Sequence, residues 1–170
     1  MPAIHLSFGK YISQLYRYSQ IYISRELEPY DIGRGQALFL LALYKNDGLS
    51  QEELARSIKI DKGTTARAID KLEKAGYVYR KQNKDDMRVN QIFLTQKAKD
   101  FKPVLFSILD RWTAILSEGM TKRELEETFR VLNRMTENAI EHICKTRKNY
   151  TMTAEECAEE KRRCKHDGTK

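Results

Sequence analysis

The segment from Ser50 to Thr95 constrains this chain more than any other, because two short helix signatures are followed directly by a basic hairpin. Ser50-Gln-Glu-Glu53 is a capping box, in which the serine hydroxyl satisfies a free helix amide and the glutamate reaches back. Leu54, Ala55 and Ile58 then supply one apolar face. Asp61 is placed as a second N-cap, opening a helical pattern that runs through Ala75 and stops at Gly76. A turn of about three residues between two helices is the spacing of a helix-turn-helix. Tyr77-Val-Tyr-Arg-Lys81, a charged tip, and Val89-Asn-Gln-Ile-Phe-Leu94 read as two strands and their turn. A helix pair with such a hairpin is a winged helix, an arrangement that holds one helix in the major groove of DNA.

Charge follows the same map. The chain carries +7, and Lys59 to Lys102 alone hold twelve basic and six acidic residues, a net +6. Nearly all of the excess thus sits on the helix-turn-helix and hairpin, the footprint of a polyanion partner.

Long amphipathic patterns flank this centre. Ile4, Phe8, Tyr11, Ile12, Leu15, Ser19, Tyr22, Ile23 and Leu27 predict a first helix over 4–28, ended by Pro29. Gln36 to Tyr44 is apolar nearly all round, as a covered central helix would be. Thr95 caps a helix whose stripe runs from Ala98 through Trp112 to Leu116, with Pro103 inside it as a source of bending or a lost hydrogen bond. Thr121-Lys-Arg-Glu124 is a further capping box, opening a helix with Leu125, Phe129, Leu132, Met135, Ala139, Ile140 and Ile143 on one face. Apolar burial is worth about 25 cal/mol per Å², so these stripes are expected to bury against a second copy of the chain. A two-fold dimer would set two reading helices ~34 Å apart. Residues 147–170 lack such periodicity and are expected to form a charged, flexible tail.

The order of helices, the segment Asp61-Lys-Gly-Thr-Thr-Ala-Arg-Ala-Ile-Asp-Lys-Leu-Glu-Lys-Ala-Gly-Tyr-Val78, and the wing Asp85-Asp-Met-Arg-Val89 leading to Phe93-Leu-Thr95 resemble the MarR family of prokaryotic transcriptional regulators. The resemblance spans about residues 4–146. It implies a mainly α fold with a small β-wing: a winged helix-turn-helix (about 50–75, wing about 77–95) flanked by dimerisation helices (about 4–28 and 96–146). It further implies a homodimer on palindromic double-stranded DNA operators, usually a repressor, often released by a small phenolic or lipophilic effector. The chain departs from the family at Ala66, where a polar Thr or Ser often faces DNA.

In the second helix of the motif, Ile69, Leu72 and Thr65 fall on the side that packs on Leu54 and Ile58, and Thr65 is counted among the DNA-contact candidates as well. Thr64, Arg67 and Lys71 fall on another side, with Lys62 at the N-terminus. The planar fork of Arg67 matches guanine O6 and N7, and Thr64 suits a base edge or a thymine methyl. Lys62 and Lys71 suit phosphates, and Ser50 and Gln51 add backbone amides at a helix N-terminus. Arg80, Lys81 and Lys84 are expected on the DNA backbone near the wing. The resemblance places Arg88 in the minor groove, with Asp86 placed to hold it by a bidentate pair.

Other functions find little footing. No nucleophile–base set, phosphate-cradling glycine loop or catalytic residue set stands out, and neither a cofactor nor a metal is expected. His142-x-Cys144 and Cys157…Cys164-x-His166 do not match a known zinc pattern, so the three cysteines are read as spectator thiols. No apolar run is long enough to span a membrane and no signal-peptide core is present, so a soluble cytoplasmic protein is expected. No effector-binding residue can be assigned; tyrosines such as Tyr11, Tyr18 and Tyr22 read first as interface packing. The alternatives to a repressor are an activator, a redox- or metal-responsive regulator of the same fold, or an architectural DNA-binding protein that reads no sequence.

Overall fold

A computed structural model of the protein describes residues 7–33, 35–82 and 90–145. The chain divides into two units after Ile115. In the first, α1 (Phe8–Leu27) passes through a 3-10 turn at Glu28–Tyr30 to α2 (Ala37–Lys45), β1 (Leu49–Ser50), α3 (Gln51–Ile58), α4 (Lys62–Lys74), β2 (Val78–Gln82) and β3 (Asn90–Leu94). The long helix α5 (Gln96–Leu116) follows, and the second unit contains α6 (Lys122–Lys145). The mainly helical fold with a small antiparallel sheet is the one expected.

The helix ends follow the side chains that precede them. Ser50 Oγ accepts from the Glu53 amide at 3.2 Å and the Ser50 amide donates to Glu53 Oε2 at 2.7 Å, so the first capping box is closed on both sides. Asp61 Oδ1 accepts from the Thr64 amide at 2.8 Å and starts α4. Thr95 Oγ1 accepts from the Ala98 amide at 3.2 Å, and Thr121 and Glu124 form the corresponding box on α6. α4 ends where Gly76 turns left-handed at φ +78°, and the Tyr77 amide donates back to the Leu72 carbonyl at 2.8 Å.

The ends of α1 and the number of strands differ from expectation, whereas Pro103 lies inside α5 as expected. Ser7 is not helical, so the described part of α1 begins at Phe8, and Glu28 already belongs to the 3-10 turn that contains Pro29. α5 continues through Pro103. The sheet has a third strand, β1, in the order β1-β3-β2, with Leu49 opposite Ile92 and Arg80 opposite Ile92 on the other side.

The core of the first unit gathers one face from each element: Leu27, Phe39, Leu40, Leu43, Leu54, Ile69, Leu72, Ile92, Leu105 and Ile108 are buried almost completely. Tyr77 lies edge-on to Phe101 and its hydroxyl donates to the Tyr30 carbonyl at 2.8 Å, tying the base of the wing to the turn after α1. Tyr44 donates to the Ala98 carbonyl at 2.6 Å, and burial raises its phenol to about 12. Trp112 stacks on Tyr22 and donates from Nε1 to Ser19 Oγ at 2.9 Å, joining α5 to α1. These contacts fix the frame on which α3, α4 and the hairpin sit.

Candidate nucleic-acid interface

α4 is two-faced. Ile69 and Leu72 are buried against α3 and the rest of the core, while Arg67 and Lys71 are exposed and Thr64 is half-buried one turn before Arg67. The i, i+3, i+7 spacing of Thr64, Arg67 and Lys71 sets them along one side of the helix.

The start of that side is ordered by a relay of hydrogen bonds. Asp61 holds the Thr64 amide, and the Thr64 hydroxyl accepts from Arg67 Nη2 at 3.0 Å. The backbone and side-chain hydrogen bonds from Thr64 hold the Asp61 carboxyl below its usual range, so it stays ionised. Lys62 Nζ pairs with Glu52 Oε1 of α3 at 2.7 Å. That hydrogen bond, with the lysine charge, lowers the Glu52 carboxyl; both groups are well exposed, so the pair is weak and easily exchanged for a phosphate.

Two expected contacts are corrected. Thr65 is 0% exposed, and its hydroxyl donates to the Asp61 carbonyl at 2.9 Å. It belongs to the core side of α4 and is removed from the DNA-contact candidates. Arg80 is directed inward rather than toward a phosphate. Strand alternation puts it on the same side as buried Val78, and its guanidinium pairs with both Asp70 and Glu73 of α4. Its side chain is only 26% exposed, whereas Lys81, on the other side of β2, is exposed.

Ser50 is more committed than its position suggests. Its amide donates to Glu53 and its oxygen accepts from the Glu53 amide. Hydrogen bonds from its side chain and backbone hold the Glu53 carboxyl below its usual range, so the polar groups of Ser50 are engaged within the cap. Gln51, the first residue of α3, is half-buried beside it. Lys84, Asp86 and Arg88 lie outside the described residues, as do Ile4, the 147–170 tail, Cys157, Cys164 and His166. Cys144 is disulfide-bonded, so the reading of it as a spectator thiol does not hold. Among the described residues no cluster of three or more His, Cys, Asp or Glu side chains is placed to hold a metal ion. No described helix is long and apolar enough to cross a membrane.

Sequence reading missed Asp70 and Glu73 as partners of Arg80. The available signal was a carboxylate pair at i, i+3 on α4 facing an arginine in phase with Val78.

The chain is similar in sequence and fold to known proteins. The family model for the MarR family matches residues 32–89. The HTH-type transcriptional regulator YybA of Bacillus subtilis is 35% identical over 113 residues, spanning 66% of this chain and 75% of its own. The crystal structure of a MarR transcriptional regulator from Methanosarcina mazei is 47% identical, with a TM-score of 0.75 over 78% of this chain and 96% of that one. A MarR-family regulator from Listeria monocytogenes, solved in complex with a 26mer DNA, is 26% identical, with a TM-score of 0.73 over 86% of this chain and 99% of that one. With a winged helix of this form and relatives this similar along most of its length, the chain belongs to the MarR family of DNA-binding transcriptional regulators.

Proposed function

We propose that this regulator is a homodimeric repressor that reads a palindromic operator with α4 and the wing and is released by a small effector. The observation that carries the reading is the side of α4 bearing Thr64, Arg67 and Lys71, outward-facing above a fully packed back. Arg67 is assigned to a guanine edge and Thr64 to a neighbouring base, while Lys62, Lys71 and Lys81 neutralise phosphates. Ser50 and Gln51 approach the backbone from the N-terminus of α3. Lys84, and Arg88 with Asp86, complete the wing contact in this reading. The Listeria neighbour's complex with a 26mer DNA supports the same use of the fold here.

Dimerisation is supported by α1, which leaves Phe8, Tyr11, Ile12, Leu15, Tyr16 and Ile21 substantially exposed in the single chain. Phe8, Tyr11, Ile12 and Leu15 follow i, i+3, i+4, i+7 spacing and form one apolar stripe, which is costly to leave in water and marks an interface. Two copies related by a two-fold axis would present their α4 helices to successive major grooves, which is what a palindrome encodes. The effector is assigned to the phenolic or lipophilic class by family membership, and it would act by favouring a dimer whose reading helices no longer match the half-site spacing.

Selection from a random duplex library tests the reading. A specific dimeric regulator enriches an inverted repeat. Uniform recovery of all sequences would instead indicate an architectural DNA-binding protein.

A further inference from the structure

Arg80 is the one arginine of the hairpin that the structure describes, and it is turned away from the outer surface. Its guanidinium is shared between Asp70 and Glu73, one turn apart on α4, and its own amide donates to Glu73 Oε1 at 3.2 Å. Backbone and side chain of one strand residue therefore grip the same helix carboxylate. On the strand side the position is equally fixed: Arg80 lies opposite Ile92 of β3, which is fully buried and itself paired with Leu49 of β1. The clamp thus joins the centre of the sheet to the α4 turn that follows Arg67.

We propose that Arg80 is a positioning residue for sequence reading: it sets the pitch of α4 relative to the wing, so that helix and wing enter adjacent grooves in register. The inference rests on the proposed reading of DNA by α4. Lysine cannot replace arginine here, because a point charge cannot bridge two carboxylates in fixed directions. A phosphate contact, in contrast, accepts either residue. The clamp also offsets two carboxylates that would otherwise oppose the approach of a polyanion.

The test uses the full-length protein, a duplex enriched by the wild type from a random library, and a scrambled duplex of equal length. Dissociation constants are measured by fluorescence anisotropy over a range of salt for wild type, Arg80→Lys, Arg80→Gln and Asp70→Asn. The expected result is that all three variants lose roughly tenfold in the ratio of operator to scrambled affinity, comparable to the misalignment of one good base contact. The slope of log affinity against log salt stays at the wild-type value. The inference is overturned if Arg80→Lys keeps the wild-type ratio, or if Arg80→Gln keeps the ratio while its slope falls by about 0.9, the signature of one lost phosphate contact. Asp70→Asn retains Arg80 and decides the matter should the arginine variants fail to fold; an unchanged ratio in it also overturns the clamp. A wild type that enriches no sequence defeats the underlying reading, and the inference with it, which is a different outcome from variants that match an enriching wild type.

Discussion

Arg67 donates from Nη2 to the hydroxyl of Thr64, one turn earlier on α4, at 3.0 Å. A long exposed guanidinium is thereby held along the helix before any ligand is present, which lowers the rotamer entropy it must lose on binding. Thr64→Val removes the hydroxyl at nearly constant shape, and with it both this bond and any hydrogen bond from Thr64 to its neighbouring base. It should weaken binding to an enriched operator by at least about threefold, the range expected for one less ordered side chain. Thr64→Ser, which keeps the oxygen, should stay close to wild type in the same anisotropy titration. Equal affinity for Val and Ser variants would mean that the bond has no part in binding.

Base contact and phosphate contact separate cleanly on this surface. Arg67→Ala should cost about 1–3 kcal/mol on the operator and far less on scrambled DNA. Lys81→Ala, on the exposed side of β2, should weaken both duplexes alike and lower the salt slope by about 0.9. Gel-shift titrations on the two duplexes at several salt concentrations distinguish these patterns. Equal losses for Arg67→Ala on both duplexes would remove it from base reading.

Acid sensitivity has a local source in the caps. Hydrogen bonds from Thr64 lower the Asp61 carboxyl, those from Ser50 lower Glu53, and those from Thr121 lower Glu124. A carboxyl whose folded pKa is depressed contributes stability that is fully present above its ordinary value, about 4, and is lost as pH falls through the lower folded value. Asn caps a helix about as well as Asp but does not titrate. Asp61→Asn should therefore melt close to wild type at pH 7 and lose less stability than wild type between pH 5 and 3. Parallel melting curves across that window would show that the Asp61 charge contributes nothing.

Association is expected to depend on the outward side of α1. Leu15 is 48% exposed in the single chain, so Leu15→Glu removes little packing within one copy while placing a charge where two copies would meet. Size-exclusion chromatography with light scattering should show a dimer for wild type and a shift toward monomer for the variant, accompanied by loss of operator affinity. A variant that remains dimeric would move the interface away from Leu15.

Much of the frame is legible in the residues because it rests on short-range relations. Ser50 with Glu53, Asp61 with Thr64, Thr95 with Ala98 and Thr121 with Glu124 each lie three residues apart, and each cap forms as the spacing predicts. What escapes depends on distance along the chain. β1 is two residues long and exists only by pairing with β3, more than forty residues later, so no local alternation announces it. Thr65 is available to DNA by polarity alone, but its hydroxyl turns back to the Asp61 carbonyl and its remaining surface fills the core. Arg80 sits in a basic run beside Lys81, which gives the two one role in a linear reading. Period-two alternation sends the two arms in opposite directions, and the carboxylates that take Arg80 lie seven and ten residues upstream on another element.

Gly48 offers a test of the sheet itself. It turns left-handed at φ +83° between α2 and β1, and its amide donates to the Ile92 carbonyl at 3.0 Å. A β-carbon there would stand 2.7 Å from Cε1 and 3.0 Å from Cζ of Phe93, whose ring stacks on Tyr79. Gly48→Ala should then cost about 1–2 kcal/mol from the left-handed backbone alone. A further loss is expected from displacing the ring, and together they should lower Tm by several degrees. The two contributions separate in a double-mutant cycle with Phe93→Ala, which removes the obstructing ring but leaves the backbone conformation unchanged. In that background Gly48→Ala should cost only the backbone part. An equal cost in both backgrounds, measured by denaturant unfolding, would show that the ring yields without penalty and that the glycine is required for its dihedral angle alone.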